Sequence, residues 1–276
     1  MGQSPLIYEG LYKQLLRQVG GWRALYFLKV TVPFLFIFFF LTGCATYNAA
    51  TGRNEFIFIS TSEEVEMGKS AHQQLAKEYV FSNDAGKIAR LNRIGRRIVQ
   101  VSDRQDYQYR FFLIKKEDFN AFTTPGGNIY FFEGLFDKLN DDEVAFVLAH
   151  EVGHCAAKHV VKKYQAALGY QMIGSVVLNR IGSPGAQRIA AMSSGALMKL
   201  VFSAYGREDE FQADQLGVKY MYLASYDVRG AIDALEVLKQ GSDGGSVPLI
   251  LRTHPYLDDR IDQVREHIQQ VKAEYH

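Results

Sequence analysis

The stretch on which the reading of this chain turns is Asn140-Asp141-Asp142-Glu143-Val144-Ala145-Phe146-Val147-Leu148-Ala149-His150-Glu151-Val152-Gly153-His154. Asn140 and Glu143 form a capping box, and the apolar pattern behind them predicts a helix over about 141–163. Residues four apart on a helix differ by ~40° and ~6 Å of rise. The imidazoles of His150 and His154 therefore project from one face and can grip a single ion. Glu151 stands ~100° round from His150, within reach of a water on that ion without binding the ion itself. Neutral imidazoles suit Zn²⁺, which brings the pKa of its water towards ~7. Glu151 is then the base that takes the proton and later gives it to a leaving amine. Val147, Leu148, Val152, Ala156 and Ala157 mark the helix as buried, and burying His, Glu and His together is costly unless they are paired or metallated.

A catalytic zinc site needs a third protein ligand and an open position. A histidine at position 160 would complete a metzincin pattern, but Val160 stands there and His159 falls one residue short. His159 reads as a packing residue or a support for a ligand. Cys155 points ~100° away from His154 and reads as a small buried residue. Further along, Arg207-Glu208-Asp209-Glu210-Phe211-Gln212-Ala213-Asp214 places Glu210 and Asp214 on one helix face. One carboxylate can bind metal while the other orients an imidazole through its free N–H.

Working back to the N-terminus, Lys13, Arg17, Arg23 and Lys29 precede the apolar run Val30–Leu41. The run is too short for the ~20 residues of a spanning helix and suits a signal peptide. It ends in Leu41-Thr42-Gly43-Cys44, which resembles a bacterial lipobox with Cys44 as the lipidated residue. The expected organisation is a lipoprotein signal peptide over 1–43, a lipid-anchored tether over 44–60, and one catalytic domain over 61–276. Ala45 after the cysteine resembles an outer-membrane sorting signal. In the whole chain of 276 residues, 31 Lys+Arg balance 30 Asp+Glu. That balance argues against nucleic-acid binding by phosphate neutralisation.

The tether leads to an apolar strand at Phe56–Ile59, and Thr61 with Glu64 reads as a capping box opening a helix to about Val80. A second helix starts at Asn83-Asp84. Strands are expected at Tyr107–Ile114, Phe119–Phe122 and Asn128–Phe132, around a turn at Thr124–Gly127, as a small antiparallel sheet. Beyond the His-Glu-x-x-His helix come an apolar hairpin over Ala166–Leu200, broken near Gly182–Gly185, and helices at Ser203–Leu223, Val228–Lys239 and Leu257–Ala273. The class is α+β and mostly helical, with the small sheet beside the His-Glu-x-x-His helix. No helix of the hairpin reads as a membrane span, because Gln171, Asn179, Arg180, Gln187, Arg188 and Lys199 interrupt it.

With Asn120-Ala121-Phe122, Pro125-Gly126-Gly127, His150–His154, Arg207–Asp214 and Thr253-His254-Pro255 in place, the chain resembles the gluzincin zinc metallopeptidases. These include HtpX, the CAAX prenyl proteases and the Oma-type mitochondrial protease, and the resemblance is closest to the soluble periplasmic lipoprotein branch (BepA/LoiP-like). It implies a zincin-like domain with one zinc held by His150, His154 and Glu210. Glu151 is implied as general base, Asp214 as support for His154, and Arg207 as a further supporting residue. It also implies Asn120, Ala121 and Phe122 as the strand on which an extended substrate aligns. His254 stays open between a fourth ligand or transition-state donor and an ordinary loop histidine.

The function expected is zinc-dependent hydrolysis of peptide bonds in unfolded or misassembled envelope proteins, on the periplasmic side of the envelope. The anchor would be a lipid on Cys44, with outer-membrane assembly machinery as a further partner and no nucleic acid. The rival is a chaperone-like outer-membrane protein assembly factor with a rarely used protease site.

Overall fold

A computed structural model describes residues 45–179, 194–241 and 248–275, the side chains of 171–179 and 194 excepted. The signal peptide, Cys44, the interruption at Gly182–Gly185 and most of the loop expected at Gly241–Ser246 lie outside the described residues. The tether forms two short strands, β1 (Ala45–Asn48) and β2 (Arg53–Phe56). The strand expected at Phe56–Ile59 therefore lies earlier. Phe58 and Ile59 instead give their amides to the Gln165 side chain, at 2.8 and 3.2 Å.

Helix α1 (Thr61–Glu78) is capped by Ser60 and Glu63, one residue before the expected pair. The Thr61 hydroxyl is engaged elsewhere, donating to Asp106 at 2.6 Å. Asp84 caps α2 (Ala85–Val99). Three strands follow: β3 (Arg110–Ile114), β4 (Ala121–Thr124) and β5 (Asn128–Phe132). Their order is β3-β5-β4, with β4 antiparallel to β5 and β3 parallel to it, so the sheet is mixed. Every residue of β5 is buried. Its two-residue period sends Ile129 and Phe131 into one hydrophobic cluster and Tyr130 and Phe132 into another.

The chain continues through α3 (Glu133–Phe136), α4 (Asp141–Ala156), α5 (His159–Asn179), α6 (Ser194–Val201), α7 (Arg207–Leu223), α8 (Gly230–Gln240), α9 (Leu249–Thr253) and α10 (Leu257–Glu274). The larger cluster joins α2, α4, α7, α8 and α10 on one face of the sheet; the smaller packs α1 and α6 on the other. Helix α4 carries the His-Glu-x-x-His sequence and is buried from Val144 to Ala156. Where it crosses α7, a Cβ added at Gly153 would lie 3.0 Å from the Ala213 carbonyl, and one at Gly217 would lie 3.3 Å from the His150 amide. Glycines at this crossing let the two backbones approach closely enough for α7 carboxylates to reach α4 imidazoles.

The single helix expected over 141–163 is broken. Lys158 adopts a left-handed backbone with φ +58°. Its ammonium pairs with the buried Glu64 carboxylate at 2.8 Å, which offsets the backbone strain. Arg104 donates to the same carboxylate at 3.0 Å and to the Cys155 carbonyl at 3.0 Å, and the Tyr107 hydroxyl also donates to Glu64. This buried network ties α1 to the end of α4.

Helix α1 also lies directly on the β4–β5 turn, where a Cβ at Gly68 would sit 2.1 Å from the Pro125 carbonyl oxygen. Backbone cannot yield there as a flexible side chain would. We expect Gly68→Ala to cost ~1–3 kcal/mol, read as a lower urea midpoint at unchanged m-value.

Candidate metal centre

Four side chains converge between α4, α7 and the residue that follows α9. One ligand atom each from His150, His154, Glu210 and His254 lie within 4.8 Å of one another, and all four residues are buried. The two Nε2 atoms of His150 and His154 are 3.0 Å apart. Glu210 oxygens lie 3.4 Å from His154 Nε2 and 3.7 Å from His150 Nε2. His254 Nδ1 is 3.0 Å from Glu210 Oε1 and 3.2 Å from His150 Nε2. With zinc–nitrogen bonds of ~2.0–2.1 Å, a tetrahedral site spaces its donors by about 3.3 Å. The distances of 3.0, 3.4 and 3.7 Å among His150, His154 and Glu210 fit that geometry.

The protonation pattern points the same way. His150 Nδ1 faces Asp214 Oδ1 at 2.8 Å, so Nδ1 donates and Nε2 presents its lone pair to the cluster. The other histidine is set by a relay. Gln212 Oε1, an acceptor, lies 3.0 Å from His159 Nε2, which must donate. Burial lowers the His159 pKa, with Asp209 opposing, and the neutral ring has an acceptor left at Nδ1. That atom is 2.8 Å from His154 Nδ1, which therefore donates and leaves Nε2 bare. Two lone pairs facing each other at 3.0 Å repel unless a cation lies between them. The residues present fit a zinc ion.

Charge on the carboxylates is shaped by burial and one arginine. Burial works to raise Glu210, but the charges of His254 and Arg260 hold it well below the usual carboxylate range. Asp214 is likewise lowered, against its burial, by Arg260. The Arg260 guanidinium is itself buried, donates to both Asp214 oxygens at 2.7 and 2.8 Å, and lies 2.9 Å from Glu210 Oε2. Glu151 differs. Burial raises its pKa, both its oxygens lack a hydrogen-bond partner, and its nearest ionic neighbour is His254 Nε2 at 3.5 Å. A buried carboxylate left free in this way is equipped to exchange a proton. Tyr205 stacks on His154 with centroids 3.9 Å apart and closes that side of the ring.

The structure thus brings together His150, Glu151, His154, Glu210 and His254. Two supporting assignments are corrected. Asp214 holds His150 and not His154, whose ring is held by His159. Arg207 is exposed and pairs with Asp259, away from the cluster. The helix turn that lifts Glu210 and Asp214 inward turns Arg207 towards α10. Cys155 is absent from the cluster; its buried thiol, pushed up to about 12, contacts Thr123 Oγ1 at 2.9 Å.

The expected substrate strand lies a little later than Phe119–Phe122. Ala121 opens β4 at the sheet edge, Phe122 packs into the core, and Asn120 precedes them with a buried amide whose oxygen and nitrogen both lack partners. Arg260 was not foreseen, because Asp258-Asp259-Arg260 looks like a solvated charge run. Its register with the buried Val264, His267 and Val271 is the signal that could have found it.

The family model of peptidase family M48 matches residues 86–268. The chain is 26% identical over 221 residues to the beta-barrel assembly-enhancing protease of Escherichia coli K12, covering 78% of this chain and 45% of that protein. It is 25% identical over 246 residues to the metalloprotease LoiP of the same strain, covering 82% and 91%. With the mitochondrial metalloendopeptidase OMA1 of Schizosaccharomyces pombe the identity is 26% over 236 residues, covering 83% and 68%. The chain spans about half the length of the beta-barrel assembly-enhancing proteases that it matches.

The relay through His159 sets an expectation. His159→Phe removes the acceptor facing His154 and should weaken zinc binding ~10–100-fold, measured by competition with a chromogenic chelator. His159→Gln, which keeps a carbonyl acceptor, should lose less; equal losses would show that packing alone matters there.

Proposed function

The chain belongs to peptidase family M48, whose members are zinc-dependent metallopeptidases, and from that premise we propose that it is an endopeptidase of unfolded or misassembled envelope proteins. We place it at the periplasmic face, held by a lipid on Cys44 and, with Ala45 following, in the outer membrane. The observation that carries the peptidase reading is the convergence of His150, His154 and Glu210 beside a buried Glu151 carboxylate whose two oxygens accept no hydrogen bond.

His150, His154 and Glu210 would hold the ion. Zinc bound there would polarise the scissile carbonyl and acidify the attacking water. Glu151 is placed to accept a proton from the attacking water and would return it to the leaving amine, and its burial-raised pKa suits both halves of the exchange. Asp214 and Arg260 hold His150 and Glu210 in place, so that neither side chain has to reorganise during the reaction. In this reading an extended chain adds alongside β4, the outer strand of the sheet, through backbone hydrogen bonds, which tolerates many sequences; β4 is buried throughout, so what covers it must move first. The unpartnered Asn120 amide offers a donor and an acceptor at the entrance to that strand. No helix among the described residues is long and apolar enough to cross a membrane, and the lipid on Cys44 supplies the attachment in this reading.

A second reading is an assembly factor whose protease site is seldom used. It is favoured by the position of the His254 ring, which lies 3.2 Å from His150 Nε2 and 3.5 Å from Glu151. There it occupies space that a substrate carbonyl needs. On this reading His254 must swing out before a chain can bind.

Glu151→Gln separates the two. We expect stoichiometric zinc to be retained while casein cleavage falls by ~10²–10⁴, and a chelator to abolish cleavage by the unmodified protein. Zinc-loaded Glu151→Gln protein cleaving at the parental rate would remove Glu151 from its role as base. An envelope phenotype that persists with the inactive variant would favour the assembly factor.

A further inference from the structure

The tether leaves large apolar side chains in water. Tyr47 is 63% exposed, Phe56 49% and Phe58 53%, and the last two rings lie 6.3 Å apart. Other exposed large hydrophobic residues among those described are scattered: Val80, Tyr170, Tyr256 and Tyr275. Single exposures of that kind are normal, whereas a cluster marks a contact surface.

The same segment is fixed to the catalytic domain. Asn48 Nδ2 donates to the Ala156 carbonyl at the end of α4, 3.2 Å away, and to Glu55 at 3.0 Å. Lys162 of α5 pairs with Glu55 at 2.6 Å. The Gln165 side chain accepts from the Phe58 amide and donates to the Phe56 carbonyl at 3.1 Å. The domain therefore begins, mechanically, at Asn48. Four residues at ~3.3–3.6 Å each allow no more than about 14 Å between Cys44 and that point.

We propose that Tyr47, Phe56 and Phe58 form a docking face that rests on the lipid bilayer and holds the C-terminal end of α4 beside it. The proposal rests on the reading of Cys44 as the lipidated residue. With diacylglycerol on Cys44, the leash is too short for the domain to stand clear of the headgroups. The face that must meet them is the one that carries the aromatic rings. Aromatic side chains favour that interface because the ring enters the acyl boundary, and the tyrosine hydroxyl stays among the headgroups.

A groove of about 540 Å³ adjoins Phe58 and is lined by Met67, Tyr164 and Leu168, but also by Glu63 and Glu66. Anionic lipid repels those carboxylates, so contact is confined to the aromatic face. His154 lies two residues before Ala156, so docking places the candidate metal centre close to the membrane surface. The substrates then favoured are chains that lie on or emerge at that surface.

The mature chain provides a clean probe, because the sequence's one tryptophan, Trp22, precedes Cys44 and is removed with the signal peptide. Phe58→Trp and, separately, Phe56→Trp are made in the full chain, and the processed lipidated protein is placed in phosphatidylethanolamine–phosphatidylglycerol vesicles with or without brominated acyl chains. Tyr275→Trp serves as the control. Docking predicts blue-shifted emission from positions 56 and 58 that loses most of its intensity to the bromines, with position 275 unaffected. Mass spectrometry of the same samples reports the anchor independently. Unquenched tryptophan on a chain whose Cys44 carries lipid would overturn docking and leave the anchor standing. Equal quenching at 275 would overturn the assignment of this face. An unmodified Cys44 would remove the anchor and the docking together.

Discussion

The site is governed by an imbalance of buried charge. Glu151, Glu210 and Asp214 are all withdrawn from water between α4, α7 and α10, and the one guanidinium buried with them is that of Arg260. Carboxylates are expensive to bury unless something answers their charge. Arg260 answers Asp214 and, together with the His254 ring, part of Glu210. What remains is a pocket of imidazole lone pairs and carboxylate oxygens that a divalent cation satisfies and a neutral side chain does not. The rest of the architecture can be understood as what is needed to hold this arrangement in place.

That holding is distributed. The glycines at the α4–α7 crossing set how close the two helices come, and hence whether Glu210 reaches His154. The left-handed turn at Lys158 ends α4 and swings His159 back beneath His154. The same lysine is drawn to Glu64, which also gathers Arg104 and Tyr107. The end of the catalytic helix is thus fastened to α1 and to the segment before β3. Each ligand imidazole is then steadied by a different element: His150 by Asp214 on α7, His154 by His159 at the start of α5. A second route to orienting imidazoles, histidine to histidine to glutamine, takes the place of a second carboxylate and adds no further negative charge.

Much of this could be read along the chain. His150, Glu151 and His154 share a helix, so their relation follows from helical geometry alone. Glu210 and Asp214 could be paired with each other by the same rule. Caps at Asn140 and Asp84 and the alternation within β5 are likewise local. Errors arose where distant residues decided a local outcome. The helix over 141–163 is broken by Glu64, far off in sequence, which rewards a backbone conformation that Lys158 would otherwise avoid. Asp214 could not be assigned between two imidazoles by spacing, because both lie on the facing helix. Arg260 gave no signal of its own, because its neighbours Asp258 and Asp259 are exposed and its burial depends on contact with α7.

What the sequence determined by itself was the chemistry: two imidazoles on one helix face with a carboxylate ~100° round from the first, and a pair of carboxylates on one face of another helix. Such groups keep their relative directions in any helix, and their affinity for a cation belongs to the atoms. The tertiary structure decided which carboxylate faces the ligands and which faces their far side, that His254 enters the cluster, and that Arg260 closes it. Those outcomes depend on how close α4, α7 and α10 pack, and packing distance is a property of contacts between segments that no single segment encodes.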